Sequence, residues 1–192
     1  MKKTLTLVFL SLVLTRFHCD GDSGMVYLNE SNMSVSLGAS MLPDPFPDQT
    51  PEISLANIIN APSPDASEVH DNPTTHVWAS QPLELDFDLQ SEYDLTTFHF
   101  WNYHSEGFDV DTIDLEFFDA SRNKVGERLG IEPDLGGGGT NPIFAQDFTL
   151  ANASGVQFVN AVLKGSNGEV DFQNIGFSAI ADQVDSKIDI DI

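Results

Sequence analysis

The chain has 192 residues, 41% of them hydrophobic, and a net charge of −22 from 30 acidic and 8 basic side chains. That length and apolar content suit one domain with a core plus a leader. The charge argues against nucleic acid and anionic membrane as partners, because the field repels phosphate, and leaves neutral ligands, cations and basic surfaces.

Met1 to Leu14 reads MKKTLTLVFLSLVL, a positive start followed by an apolar run. A membrane-spanning helix needs roughly 20 apolar residues, so this run reads as a secretory signal. Gly21 and Ser23 permit cleavage nearby, which places the leader at 1–23. Cys19 is the single cysteine, so no intrachain disulfide forms. Its position after the apolar run also suits lipidation, but Arg16, Phe17 and His18 do not match the usual Leu-small-small approach. Plain secretion, to the medium, periplasm or cell surface, is the expectation.

Residues 24–52 hold two short strand-like runs, MVYLN and SVSLG, and then Pro43, Pro45, Pro47 and Pro51. Proline lacks the ladder's donor, so the second part is loop or edge. Leu55 to Ser80 is a long polar loop broken by Ile58-Ile59 and closing on Trp78, which is expected in the core. Such loops are usually functional or metal-stapled.

Leu83 to Phe118 dominates the chain. Leu83, Leu85, Phe87 and Leu89 alternate with Glu84, Asp86 and Asp88. That period of two marks a strand with one dry face. Leu95, Phe98 and Phe100 suggest a second strand, and Ile113, Leu115 and Phe117 a third. Consecutive strands of this kind predict an antiparallel β-sandwich or barrel. Next comes a turn around Asn123, then Gly136 to Gly139, read as a flexible loop because no Lys-Ser/Thr follows as in a phosphate loop. Phe144–Leu150, Val156–Leu163 and Glu169–Ala179 supply three more strands, separated by turns ending in Gly155 and Gly168. No helical period extends beyond a turn or two. Residues 181–192 are an acidic tail or an added edge strand.

The sandwich at 53–180 carries ANII-N at Ala56 to Asn60, T-T-x-V-W at Thr74 to Trp78, L-T-T-F-H-F-W-N at Leu95 to Asn102, and F-x-N-I-x-F at Phe172 to Phe177. Together these resemble a discoidin-like domain, the galactose-binding jelly roll also called coagulation factor 5/8 type C, found as carbohydrate-binding modules of secreted bacterial enzymes. The resemblance implies a non-catalytic glycan-binding module. It also implies a structural Ca2+ held by Asn60, Thr75 and Asn174, with Asp65, Glu68 and Asp71 in the same loop. Asn60-Ala61 stands where the family has Asp-Gly, and amides in place of carboxylates weaken a calcium site.

A sugar site needs an aromatic plane and polar groups for the hydroxyls. Trp101, Asn102, Tyr103 and His104, with Phe108 beyond, follow a strand into its loop and meet that need. Alternation turns Phe98 and Phe100 inward and His99 and Trp101 outward. Burying an aromatic contributes roughly 4–6 kcal/mol at most, which favours packing over stacking for Trp101. Arg122 and Arg128 lie away from this stretch, unlike the arginine often found in the family's sugar site.

Enzymatic motifs are absent from the sequence. His70, His76, His99 and His104 form neither HExxH nor a His/Cys metal spacing, and no G-x-S-x-G elbow occurs. The sequence therefore reads as a secreted binding module for glycan or extracellular polysaccharide. The alternatives are a cell-envelope structural or protein-interaction domain of the same fold, and a small secreted hydrolase with convergent carboxylates.

Overall fold

The computed structural model describes residues 24–41, 44–70, 76–104, 107–137 and 142–181. The leader, Cys19, Thr75 and the acidic tail lie outside them. The described elements are β1 (Met25–Leu28), β2 (Ser34–Leu37), α1 (Pro51–Ile58), β3 (Ser67–Glu68), β4 (Val77–Ala79) and β5 (Leu83–Asn102). They continue as β6 (Thr112–Phe118), β7 (Lys124–Ile131), β8 (Ile143–Phe144), β9 (Gln146–Thr149), β10 (Val156–Lys164) and β11 (Val170–Ala181).

All the pairings are antiparallel, and the 20-residue β5 belongs to both layers. Its first half lies between β2 and β10, and β10 continues to β6 and β7. Its second half lies between β9 and β11, and the far edge of β11 carries β1 and β4. The two halves expected as separate strands are thus one ladder. Gln90 supplies the corner, at φ 63°. Its amide donates to Asp88 Oδ1 at 2.8 Å, a local bond that offsets part of the strain of a left-handed residue.

Folding β5 over brings its two apolar faces together. Phe87 from the first half meets Phe177 of β11 edge-to-face, with ring centroids 5.7 Å apart. Phe98 lies 5.9 Å from Phe100 and 5.5 Å from Phe177. Phe87, Phe98, Phe100, Phe117, Phe172 and Phe177 are all fully buried in one core. Each contributes about 1.5–3 kcal/mol by leaving water. The architecture is therefore the all-β antiparallel sandwich that the alternation predicts. The segment 24–52 is part of it: β1 and β2 pair with strands of different layers, and Phe46 of the Pro-rich stretch enters the core.

Three elements differ from expectation. The helix α1 occupies Pro51–Ile58, where no helix is predicted. Proline at its first turn loses no needed donor. Its buried residues are Ser54, Asn57 and Ile58, two of them polar, so no apolar stripe announces it. The strand β7 stands where a turn continues in the sequence reading; it is an exposed edge with Ile131 as its one buried residue. Trp78 is half-buried on β4 rather than in the core, between buried Val77 and Ala79, and its indole donates to Glu169 Oε2 at 3.2 Å.

Among the described residues no helix is long and apolar enough to cross a membrane.

Candidate functional site

The outer face of β11 positions the polar side chains. Its inner face carries Phe172, Ile175 and Phe177; Asp171, Gln173 and Asn174 are buried as well. Burial on both faces requires a cover. The chain from Ala61 to His70 supplies it, as three contacts show. Ala61 N donates to Asn174 Oδ1 at 3.1 Å, Trp101 Nε1 donates to Ala66 O at 2.9 Å, and Gln173 Nε2 lies 2.7 Å from His70 Nδ1.

This cover decides the fate of the outward residues of β5. Trp101 does point away from the main core, yet it is fully buried with Ala61 and Ile143 in a second apolar cluster. It therefore packs and offers no plane to a sugar. His99 is also buried, its Nδ1 2.6 Å from Asp147 Oδ1 and its Nε2 2.7 Å from Ser178 Oγ. Asn102 is the second correction. Its amide donates to Val110 O and Asp134 O, each at 3.0 Å. Its Oδ1 accepts from Tyr103 N at 3.0 Å and Val110 N at 2.9 Å. Every hydrogen-bonding position of the amide is engaged inside the protein, so Asn102 holds the loop and is not a ligand contact.

The loop it holds carries Tyr103 and His104, both half-exposed, and Phe108, which is 43% exposed. Gly136 closes the other side, with its N–H donating to Tyr103 O at 2.8 Å. A Cβ at Gly136 would overlap the Asn102 carbonyl. The first of the four glycines is therefore required by close backbone approach rather than by flexibility; Gly138 and Gly139 lie outside the described residues.

Tyr103 and His104 sit in a run of rings from separate parts of the chain. His76 is 4.4 Å from His70, His70 is 4.3 Å from Tyr103, and Tyr103 is 4.4 Å from His104, centroid to centroid. Asp171 joins them: one ligand-type atom each from His70, His76 and Asp171 lies within 4.8 Å of the others. Asp48 also approaches the cluster, its Oδ2 3.2 Å from His76 Nε2. An open groove lined by Asp44, Phe46, Pro47, Asp48, Gln49, Thr50 and Ile53 borders it there.

Electrostatics follow from burial. Burial and then the nearby Asp48 charge push the Asp171 carboxyl up to about 8. Burial holds His76 below the usual imidazole range, against the pull of Asp48. Burial and then the Asp171 charge raise the Tyr103 phenol. Asp171 is only 7% exposed, so it is poorly placed to reach a bulky substrate.

Of the residues implied for calcium, Thr75 lies outside the described residues, and Asn60 and Asn174 meet through a hydrogen bond. Asn174 Nδ2 donates to Asn60 Oδ1 at 2.6 Å and to Asn57 O at 3.0 Å. Its Oδ1 accepts from Ala61 N and Ile175 N, each at 3.1 Å. An amide NH2 thus takes the oxygens a cation would need, and the Asn174 oxygen is already used twice. A hard cation wants six to eight oxygens and compensating charge, and these residues do not fit it. They form a hydrogen-bonded tie between α1 and β11.

Sequence reasoning placed Tyr103 and His104 in the site and missed His70, His76, Asp171 and Gln173. The missing signal is topological: about a hundred residues separate His70 from Asp171, and only strand pairing brings them to one end.

The fold and site together define a β-sandwich with a cluster of contacting rings beside the first residues of β11. No protein-family model matches the chain, and no curated protein does. Solved structures similar to it include the family 32 carbohydrate-binding module of Clostridium perfringens NanJ, in complex with galactose. That module is 12% identical over 80% of this chain and 98% of its own, with a TM-score of 0.49. An F5/8 type C domain from Bacteroides fragilis is 10% identical over 82% of this chain and 97% of its own, with a TM-score of 0.49. A Streptococcus pneumoniae fucose binding module is 12% identical over 78% and 94%, with a TM-score of 0.47. The likeness is one of fold.

Proposed function

We propose that this chain is a secreted, non-catalytic module that binds glycan through the loop after β5. The observation that carries this reading is the presentation of Tyr103, His104 and Phe108. They are exposed or half-exposed on a loop pinned at its base by Asn102. An aromatic surface takes the apolar face of a pyranose, and imidazole and phenol take its hydroxyls. The pinned base lowers the ordering cost of binding, which matters for a small contact. The acidic surface suits a neutral polysaccharide better than an anionic one. Calcium is no part of this reading, because the Asn60 oxygen accepts from the Asn174 amide and the Asn174 oxygen accepts from the Ala61 and Ile175 N–H groups.

The test is a broad glycan panel probed with the purified chain, with calcium and with chelator. Binding to a defined neutral glycan, equal in both conditions and lost in Tyr103→Ala and His104→Ala, is expected. A folded chain that binds nothing on the panel would overturn the reading and favour the envelope-interaction alternative.

A further inference from the structure

We infer that His70, His76 and Asp171 form a binding site for a divalent transition metal of the zinc class. The inference stands apart from the glycan reading, since it concerns the buried side of the ring cluster and needs no sugar. Three observations carry it.

The first is convergence. Two imidazoles and a carboxylate from three separate positions bring ligand-type atoms within 4.8 Å of one another. Nitrogen-rich sets of this kind select zinc, nickel or copper over calcium and magnesium, which prefer oxygen alone. Bonds of about 2.0–2.1 Å to a shared ion require these atoms to draw somewhat closer, which small side-chain rotations supply.

The second is unmet bonding inside the protein. His76 Nδ1 and Asp171 Oδ1 are buried and make no hydrogen bond. His76 is 1% exposed and Asp171 7%. Buried polar atoms are nearly always paired, and each orphan destabilises the fold. A cation between them satisfies both at once.

The third is the outer support. Metal-bound histidines characteristically present the other ring nitrogen to a carboxylate or carbonyl, which fixes tautomer and orientation. Asp48 faces His76 Nε2 and so leaves Nδ1 for the metal. Gln173 stands at His70 Nδ1 in the same capacity. With its amide turned over, Gln173 Oε1 accepts a proton from Nδ1–H. Amide orientation is assigned from the network, and Oε1 otherwise lacks a partner.

Three protein ligands leave a fourth position for water. The ion would tie His70 of the covering segment and His76 at the entry to β4 onto the first residues of β11.

The experiment uses the purified chain, stripped with chelator, and Zn2+ alone. Calorimetry or competition with a chromophoric chelator should give one ion per chain, and the melting temperature should rise with Zn2+. Co2+ in place of Zn2+ should give the intense visible bands of a four-coordinate site. Asp171→Asn, which preserves shape, and His76→Ala should each weaken Zn2+ binding by at least 100-fold. Asp48→Asn should weaken it about 10-fold, as expected for an outer partner. Absence of stoichiometric binding, which would mean that water fills the gap, would overturn the inference. So would Zn2+ binding that survives intact in a folded Asp171→Asn chain, since the ion would then sit elsewhere on the acidic surface.

Discussion

Asn102→Ala separates a loop-holding role from a ligand-contacting one. The substitution removes an amide that makes four hydrogen bonds at 2.9–3.0 Å. Val110 N–H and Val110 C=O are buried in these contacts, so they stay unpaired when the amide goes. Each such group costs about 1–3 kcal/mol. Asp134 O and Tyr103 N lie nearer solvent and recover water at small cost. The loss comes to about 3–5 kcal/mol, which for a domain of this size lowers the melting temperature by about 10–15 °C. Asn102→Asp should be comparably damaging, because a carboxylate oxygen would then face the two carbonyls that the NH2 now serves. Thermal and urea unfolding followed by circular dichroism measures both. Tyr103→Ala, in contrast, should shift the midpoint by only a few degrees. If Asn102→Ala melts within about 2 °C of the parent while losing glycan binding, the holding role is refuted and Asn102 belongs with the ligand contacts.

Three further outcomes follow from the same geometry. Trp101→Phe should cost about 1–2 kcal/mol, the loss of the indole bond to Ala66 O, whereas Trp101→Ala should cost about 3–5 kcal/mol in urea unfolding; equal costs would contradict its packing role. Gly136→Ala should destabilise by about 2 kcal/mol or more, because the new Cβ overlaps the Asn102 carbonyl, and an unchanged melting curve would refute the close approach. In chelator, Asp171 should make stability fall with rising pH. Its folded pKa, about 8, exceeds the ordinary 3.8, so the folded state holds a proton that the unfolded state has released between those values. The stability lost across that window is at most about 6 kcal/mol. Asp171→Asn should flatten the profile between pH 4 and pH 8 in urea melts, and parallel profiles for the two proteins would contradict the assignment.

Most of the sandwich was readable because a strand with one wet face writes its period directly into the sequence. Leu83 to Leu89 and Ile113 to Phe117 show this. The errors have physical causes. Gln90 is an unremarkable corner residue by type, so nothing told two strands from one bent strand. The α1 helix buries serine and asparagine, so it carries no apolar stripe, and β7 is an exposed edge with almost no inward face to read. Alternation correctly set Trp101 apart from Phe98 and Phe100, but it shows two faces and not what covers the second. The Ala61–His70 cover turned an outward tryptophan into a buried one. Tyr103 and His104 were legible as partly exposed loop residues because they directly follow a strand. His76 and Asp171 were not, since their meeting depends on the pairing of β4 with β11. The amides at Asn60 and Asn174 do meet, and they are joined by a hydrogen bond from the Asn174 NH2 to the Asn60 oxygen.

The most direct test of the glycan-binding account is quantitative binding of the purified chain to the best glycan from the panel, comparing Tyr103→Ala with the parent at matched folded fraction. The account predicts at least a 10-fold loss of affinity for Tyr103→Ala with an almost unchanged melting curve. Undiminished binding in that variant would contradict it and move the recognition surface away from the loop after β5.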